Sequence, residues 1–310
     1  MIKNKIISGF FLIILVTFLY NSQNYIDQYI EQVSNYSAAF FSMGITVKDL
    51  TKKYDRPKNH EKIKILIVPG HEPYFGGAEY KNLKERDLNL ILSEKIKNIL
   101  EKNKKFEIIT SRDSNGWNRD LENYINNNNG DIQSWVNEAK KEMSSLVSNG
   151  RISIVNAEMG HSTVPLNSAI FLYGINKWAG ENKIDITIHL HFNDNPKYKG
   201  KPNYEGFSIY VPEKQYSNSI SSKVLAKSLM DEISKIQKVS TMPEESNGII
   251  EDQELIALGS YNTSDSLSIL TEYAYIYENF MQNTITRNIF IDKAASSTAQ
   301  AIEDFFELKN

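Results

Sequence analysis

The sequence predicts an α/β domain of three layers with a mostly parallel central sheet, preceded by an N-terminal membrane-anchor helix. Three observations predict it. Short apolar runs rich in Ile and Val alternate with longer stretches of helical periodicity, the order that builds βα units. The first of these runs, Ile63 to Val68, stops at Pro69-Gly70 and leads through a glycine-containing loop into helical spacing from Glu85. The chain opens with Lys3 and Lys5 ahead of an apolar run from Ile6 to Tyr20, the pattern of an export signal.

Composition narrows the chemistry. The 310 residues, 41% hydrophobic and 24% charged, suffice for one large domain or two small ones. A net charge of -3 gives no bulk attraction to nucleic acid. There is no cysteine, which excludes disulfides, thiolate metal sites and a cysteine nucleophile. Any metal therefore falls to His and carboxylate, and only five histidines are available.

Residues 1–21 read as a signal-anchor. The apolar run is short for a membrane span, yet Tyr20-Asn21-Ser22-Gln23 makes a poor cleavage site. That favours an uncleaved, single-pass anchor in the cell membrane over secretion after cleavage. The lysine flank then sets everything after Asn21 outside the cytoplasm. Residues 22–61 read as a juxtamembrane stalk, with Ile26, Tyr29, Ile30, Val33 and Tyr36 at helical spacing. The folded domain follows over 62–310. Phe106 to Ser111 is its second strand. Residues 115–183 form an insert with a helix through Ile132, Val136 and Met143, a polar loop around Glu158 and His161, and a helix from Pro165 through Trp178. Ile184 to His191, Glu205 to Val211 and Ser266 to Tyr273 are the remaining strands, and Ser219–Ile236 and Ile289–Phe306 the remaining helices.

The residues that carry chemistry stand at element ends. His71 closes the first strand and Glu85 heads the next helix, at the edge where open α/β sheets bind ligands. His189 and His191 are two apart on a strand and face one side. Glu272 ends the last strand. A catalytic zinc needs three protein ligands, an open position and a nearby carboxylate to accept a proton, and this set can supply them. Taken singly, each residue has a plainer reading, such as a loop histidine or a glutamate complementing a helix N-terminus.

In order along the chain, PGHEP, GA, KERDLNL, TSRD, IDITIHLHFND, EGFSIYV and SILTEYAYIYEN resemble the zinc-dependent N-acetylmuramoyl-L-alanine amidases of the type-3 kind. The resemblance covers about Lys62–Arg112 and Ile184–Phe306. It implies hydrolysis of the amide between the lactyl group of N-acetylmuramic acid and L-alanine of the stem peptide in peptidoglycan. It implies zinc on His71, Glu85 and His191, with Glu272 taking the proton of the attacking water and handing it to the leaving amine. Aligning Asp185 and the Asn of His-x-Asn selects His191, with Asn193, over His189 as ligand. His189 and Asn193 are expected to line the pocket, and Arg112 to make a structural ion pair at its edge.

The sequence also departs from the family. No Arg stands in register in Ile175-Asn176-Lys177-Trp178-Ala179-Gly180, Asn247-Gly248 replaces an Arg-Gly, and the insert is longer than the usual connection. These departures keep open a zinc peptidase acting on wall or other exported peptides. A membrane-anchored wall-binding module with a dead site is a third reading. Expected partners are peptidoglycan, the membrane through the N-terminal helix, and an activating protein of unspecified kind. Glu158 and His161 add one expectation: a fourth ligand from the insert would hold the enzyme off, whereas a solvated connector would not.

Overall fold

The structure, a computed structural model, describes residues 44–58, 61–74, 76–156, 165–194 and 204–307. In chain order the strands are β1 (Ile63–Pro69), β2 (Glu79–Tyr80), β3 (Leu83–Lys84), β4 (Phe106–Thr110), β5 (Arg112–Asp113), β6 (Gly116–Trp117), β7 (Ile186–Asn193), β8 (Ser208–Pro212), β9 (Ile249–Asp252) and β10 (Leu267–Tyr275). The longer helices are α1 (Val47–Asp55), α2 (Glu85–Leu100), α3 (Arg119–Asn127), α4 (Asn129–Ser148), α5 (Leu166–Glu181), α6 (Ser219–Ile233) and α7 (Thr284–Glu307).

Six strands form one sheet in the order β4-β1-β7-β10-β8-β9. The first four are mutually parallel, β8 runs antiparallel to β10, and β9 is parallel to β8. β1 is buried at every position except Lys64, which is why it reads as a continuous apolar run rather than an alternating one. From β1 the chain first builds β4 on one side and later β7 on the other. That reversal opens a crevice between β1 and β7 at their C-terminal ends.

Both faces of the sheet are covered. Ile65, Ile67, Ile188 and Leu190 pack with Leu88 and Leu92 of α2, Leu229 of α6 and Ile302 of α7. Leu66 and Val68 pack instead with Leu121 and Ile125 of α3, Val136 of α4, and Ile175 and Trp178 of α5. Residues 115–183 were expected as an insert on a complete fold; their helices are the third layer itself. A parallel sheet needs cover on both faces, and α3 to α5 supply it on the second.

Two further expectations change. The stretch read as stalk contributes α1, whose Leu50 is wholly buried in the main core and whose Tyr54 stacks on Phe306 at 4.5 Å. Lys53 Nζ reaches the buried Asp185 carboxylate at 2.6 Å, and the same oxygen accepts from the Lys64 N–H at 2.7 Å. The compact unit accordingly takes in α1. The segment between Gly248 and Leu258, outside the expected strands, contains β9. Among the described residues no helix is long and apolar enough to cross a membrane. The expected anchor at 1–21 lies outside the described residues.

Because Leu50 is sealed in the core, Leu50→Ala should cost about 2–5 kcal/mol of stability. Urea denaturation of the full-length chain measures this, and a change below about 0.5 kcal/mol would mean that α1 is not packed as described.

Candidate metal centre

The crevice holds three potential ligands. His71 follows β1, Glu85 is the first residue of α2, and His191 lies near the end of β7; one donor atom from each lies within 4.8 Å of the others. His71 Nε2 is 2.8 Å from Glu85 Oε2, and His191 Nδ1 is 2.9 Å from Glu85 Oε1. The imidazole rings stand edge to face, 5.0 Å apart at 75°.

Local backbone explains how the residues meet. His71 takes a left-handed φ of 67°, and Gly76 and Gly77 follow at 86° and 82°, so the loop turns tightly back to α2. A Cβ on Gly77 would lie 2.7 Å from His71 Cδ2. Gly70 matters as much: a Cβ there would lie 2.4 Å from His191 Nε2. Only glycine lets β1 pass under that ring. Arg112 braces the same turn. Buried, it donates to the carbonyls of Pro69 at 3.1 Å, Gly70 at 2.8 Å and Arg86 at 2.8 Å. Its expected ion pair is thus replaced by three backbone acceptors.

Glu85 is oriented by more than its histidines. Oε2 accepts from the Ala78 N–H at 2.8 Å, and Oε1 accepts from the Phe192 N–H at 3.2 Å. Asn89, one turn on, donates to the Gly70 carbonyl at 3.2 Å and lies 3.4 Å from Glu85 Oε1. Burial pushes the Glu85 carboxyl up, but the hydrogen bond from His191 and the close approach of His71 outweigh it, holding the group well below the usual carboxylate range. Burial lowers His191, only partly offset by Glu85. The result is an ionised carboxylate beside a neutral imidazole, the protonation states that metal ligands require.

These residues fit a zinc ion. His71 Nε2 is shut off from solvent and makes no hydrogen bond despite its short distance to Glu85, so it aims at a point it shares with the carboxylate. Two nitrogens and one carboxylate are a donor set used by catalytic zinc sites that keep an open position.

Glu272 stands next to this group, opposite His191 in the parallel register of β10 and β7. It is half-buried, and its Oε2 is sealed from solvent without a partner. Burial, then the charges of Glu85 and Glu245, push its carboxyl well above the usual range. Glu245 escaped notice in the sequence, where it is one acid in a polar loop. It is fully buried and accepts from Asn193 at 2.9 Å, Tyr210 at 2.7 Å, Ser240 at 2.5 Å and Tyr275 at 2.8 Å. Asn193, expected to line the pocket, therefore spends its amide on Glu245. Tyr275 reaches the same carboxylate across a register shift that sets it opposite Asn193. His161 and Glu158 lie outside the described residues.

His189, the other expected pocket residue, is wholly buried one pleat below His191, between Val68 and Leu270. Burial, aided by nearby His191, pushes it down to about 3 against a hydrogen bond to the Ala257 backbone. The unfolded residue titrates near pH 6.5, so between these values the unfolded chain holds the extra proton and stability falls as pH drops. The urea midpoint of metal-free protein should fall from about pH 6.5 toward about pH 3, less steeply in His189→Leu. Equal slopes in both proteins would remove His189 as the cause.

The comparisons agree with this geometry. A family model described as N-acetylmuramoyl-L-alanine amidase matches residues 65–134 and 139–304, running through most of the stretch read as an insert. Among solved structures, the N-acetylmuramoyl-L-alanine amidase of Clostridium difficile 630 superposes with a TM-score of 0.50 at 17% identity, covering 81% of this chain and 100% of its own. The CwlD amidase of Clostridioides difficile, solved with the GerS lipoprotein, gives 0.51 at 15% identity over 80% of this chain and 100% of its own. Ami1 of Mycobacterium smegmatis gives 0.50 at 12% identity over 81% and 100%. At such identities these likenesses establish a shared fold. No curated protein matches by sequence. The family match includes His71, Glu85, His191 and Glu272, and the chain belongs to the N-acetylmuramoyl-L-alanine amidase family.

Proposed function

We propose that the chain is a zinc-dependent peptidoglycan amidase that hydrolyses the bond between the lactyl group of N-acetylmuramic acid and L-alanine. The observation that carries this reading is the convergence of His71, Glu85 and His191 beside Glu272 in a domain of this family. His71, Glu85 and His191 would hold the zinc, which supplies Lewis-acid chemistry by polarising a carbonyl and acidifying water near neutral pH. The remaining work falls to the chain. Glu272 takes a proton from the attacking water as the new C–O bond forms. It returns that proton to the amide nitrogen as the C–N bond breaks, and ends in its starting state. Its raised proton affinity suits a group that must both take and give a proton near neutral pH. Glu85, held ionised by its donors, takes no part in that transfer.

The same reading sets the enzyme outside the cytoplasmic membrane, where its substrate is, supported by the lysine-flanked apolar run at the N-terminus.

In the full-length chain, His71→Ala, Glu85→Ala and His191→Ala should each lose the bound zinc, measured by elemental analysis. Glu272→Gln should keep its zinc while turnover falls about 10²- to 10⁴-fold, because Gln preserves shape but accepts no proton. An active Glu272→Gln enzyme would remove Glu272 from this role. Mass spectra of a digested wall should show intact stem peptides freed from the sugar; cuts within the stem would make the protein a peptidase instead.

A further inference from the structure

We infer that Ser208 is a positioning residue for the amidase reaction: its hydroxyl donates to Glu272 and holds that carboxylate in its reactive orientation. The inference rests on the assignment of Glu272 to proton transfer.

Ser208 opens β8, and in the antiparallel pairing of β8 with β10 it lies directly opposite Glu272. Directly opposed residues project from the same face of a sheet, with Cβ atoms about 4.5–5.5 Å apart. Ser208 is wholly buried, and its Oγ has no hydrogen-bond partner. Glu272 Oε2, across the pair, is likewise sealed and unpartnered. Buried polar atoms without partners are rare in native folds. Two of them on opposed residues are a donor and an acceptor waiting for one another. A rotation about the Ser208 side chain, or one bridging water, joins them.

The other polar groups around Glu272 are spoken for. The hydroxyls of Tyr210 and Tyr275 and the amide of Asn193 all serve Glu245. His189 Nε2 is also unpartnered, but its ring already donates through the other nitrogen to the Ala257 backbone. A neutral imidazole bonded in that way offers only an acceptor at Nε2, which cannot hold a carboxylate. Ser208 is the group on the flanking strands, among the described residues, with a hydrogen to give. The need is specific as well. Glu272 is flanked by the anions Glu85 and Glu245, and a proton acceptor works only when held within hydrogen-bond reach of the water it deprotonates.

A purely structural Ser208 would leave the kcat of the folded, zinc-loaded enzyme unchanged. Removing a donor to a buried carboxylate leaves that group under-satisfied and costs some stability. In the full-length chain, Ser208→Ala should therefore lower its thermal midpoint slightly, keep its zinc, and leave KM within about twofold. Its kcat on a muramoyl-peptide substrate should fall about tenfold to a hundredfold, the range for losing a hydrogen bond to a charged group. Ser208→Cys fills the same space with a poor donor and should be as slow. Wild-type kcat in either variant overturns the assignment, as does a loss in Ser208→Ala that is accompanied by lost zinc. Glu272→Gln, measured alongside, separates the two ideas. If it is active, the role of Glu272 falls; if it is inactive while Ser208→Ala is fully active, the role of Ser208 alone falls.

Discussion

A buried carboxylate is stable only when its lone pairs are occupied, and at Glu85 the occupants come from three separate parts of the chain. The Ala78 N–H belongs to the loop after β1, the Phe192 N–H and His191 Nδ1 belong to β7, and the head of α2 adds the positive end of its dipole. Each of these contacts fixes the relative position of two elements. Together they set the spacing between β1 and β7 at the crevice, and His71 arrives in register because the loop carrying it must also deliver Ala78. Glycine at 70 and 77 is then a steric consequence, since any side chain there would push into the rings this carboxylate assembles.

Across the crevice a second buried carboxylate is handled differently. Glu245 sits on neutral donors alone, drawn from β7, β8, β10 and the segment before residue 243. It ties together the strands that carry His191, Ser208 and Glu272. Glu272, between Glu85 and Glu245, feels the repulsion of both. The buried Arg112 spends its guanidinium on carbonyl oxygens. The edge thus concentrates negative charge around a donor set suited to a divalent cation, and such an ion would relieve the repulsion that the fold has accumulated.

Much of this was legible in the sequence. β1 is an almost continuous apolar run, and β7 and β10 are buried nearly end to end, because parallel strands bury both faces; His71, His191 and Glu272 stand toward their C-terminal ends, with Glu85 at the head of α2. What stayed hidden depends on partners distant in sequence. β9 is four residues long with only its alternate positions buried, too short for a periodicity to emerge. Nothing local gives the reversed direction of β8, which is set by its pairing with β10. The nine residues of α1 show an apolar face whose Tyr54 meets Phe106 and Phe306, 52 and 252 positions away. Glu245 resembles any loop acid until four donors converge on it. Helical spacing within 115–183 was evident, but only the sheet face left bare without it shows that the stretch is a structural layer.

The packing of α1 also fixes where the rest of the chain can be. Gly44 lies so close to the Ser217 carbonyl that a Cβ would overlap it, and Ser221 Oγ donates to the Ile45 carbonyl at 2.7 Å. Ser217 follows β8 out of the sheet at the end away from Glu272, because β8 runs against β10. The domain is therefore entered at the pole opposite its chemistry. β7 alone separates the poles by eight residues, about 26 Å of extended chain. Gly44 thus marks the base of the domain, and the crevice opens at its other end. That polarity keeps the packed segment from Gly44 through α1 away from the edge where the chemistry lies.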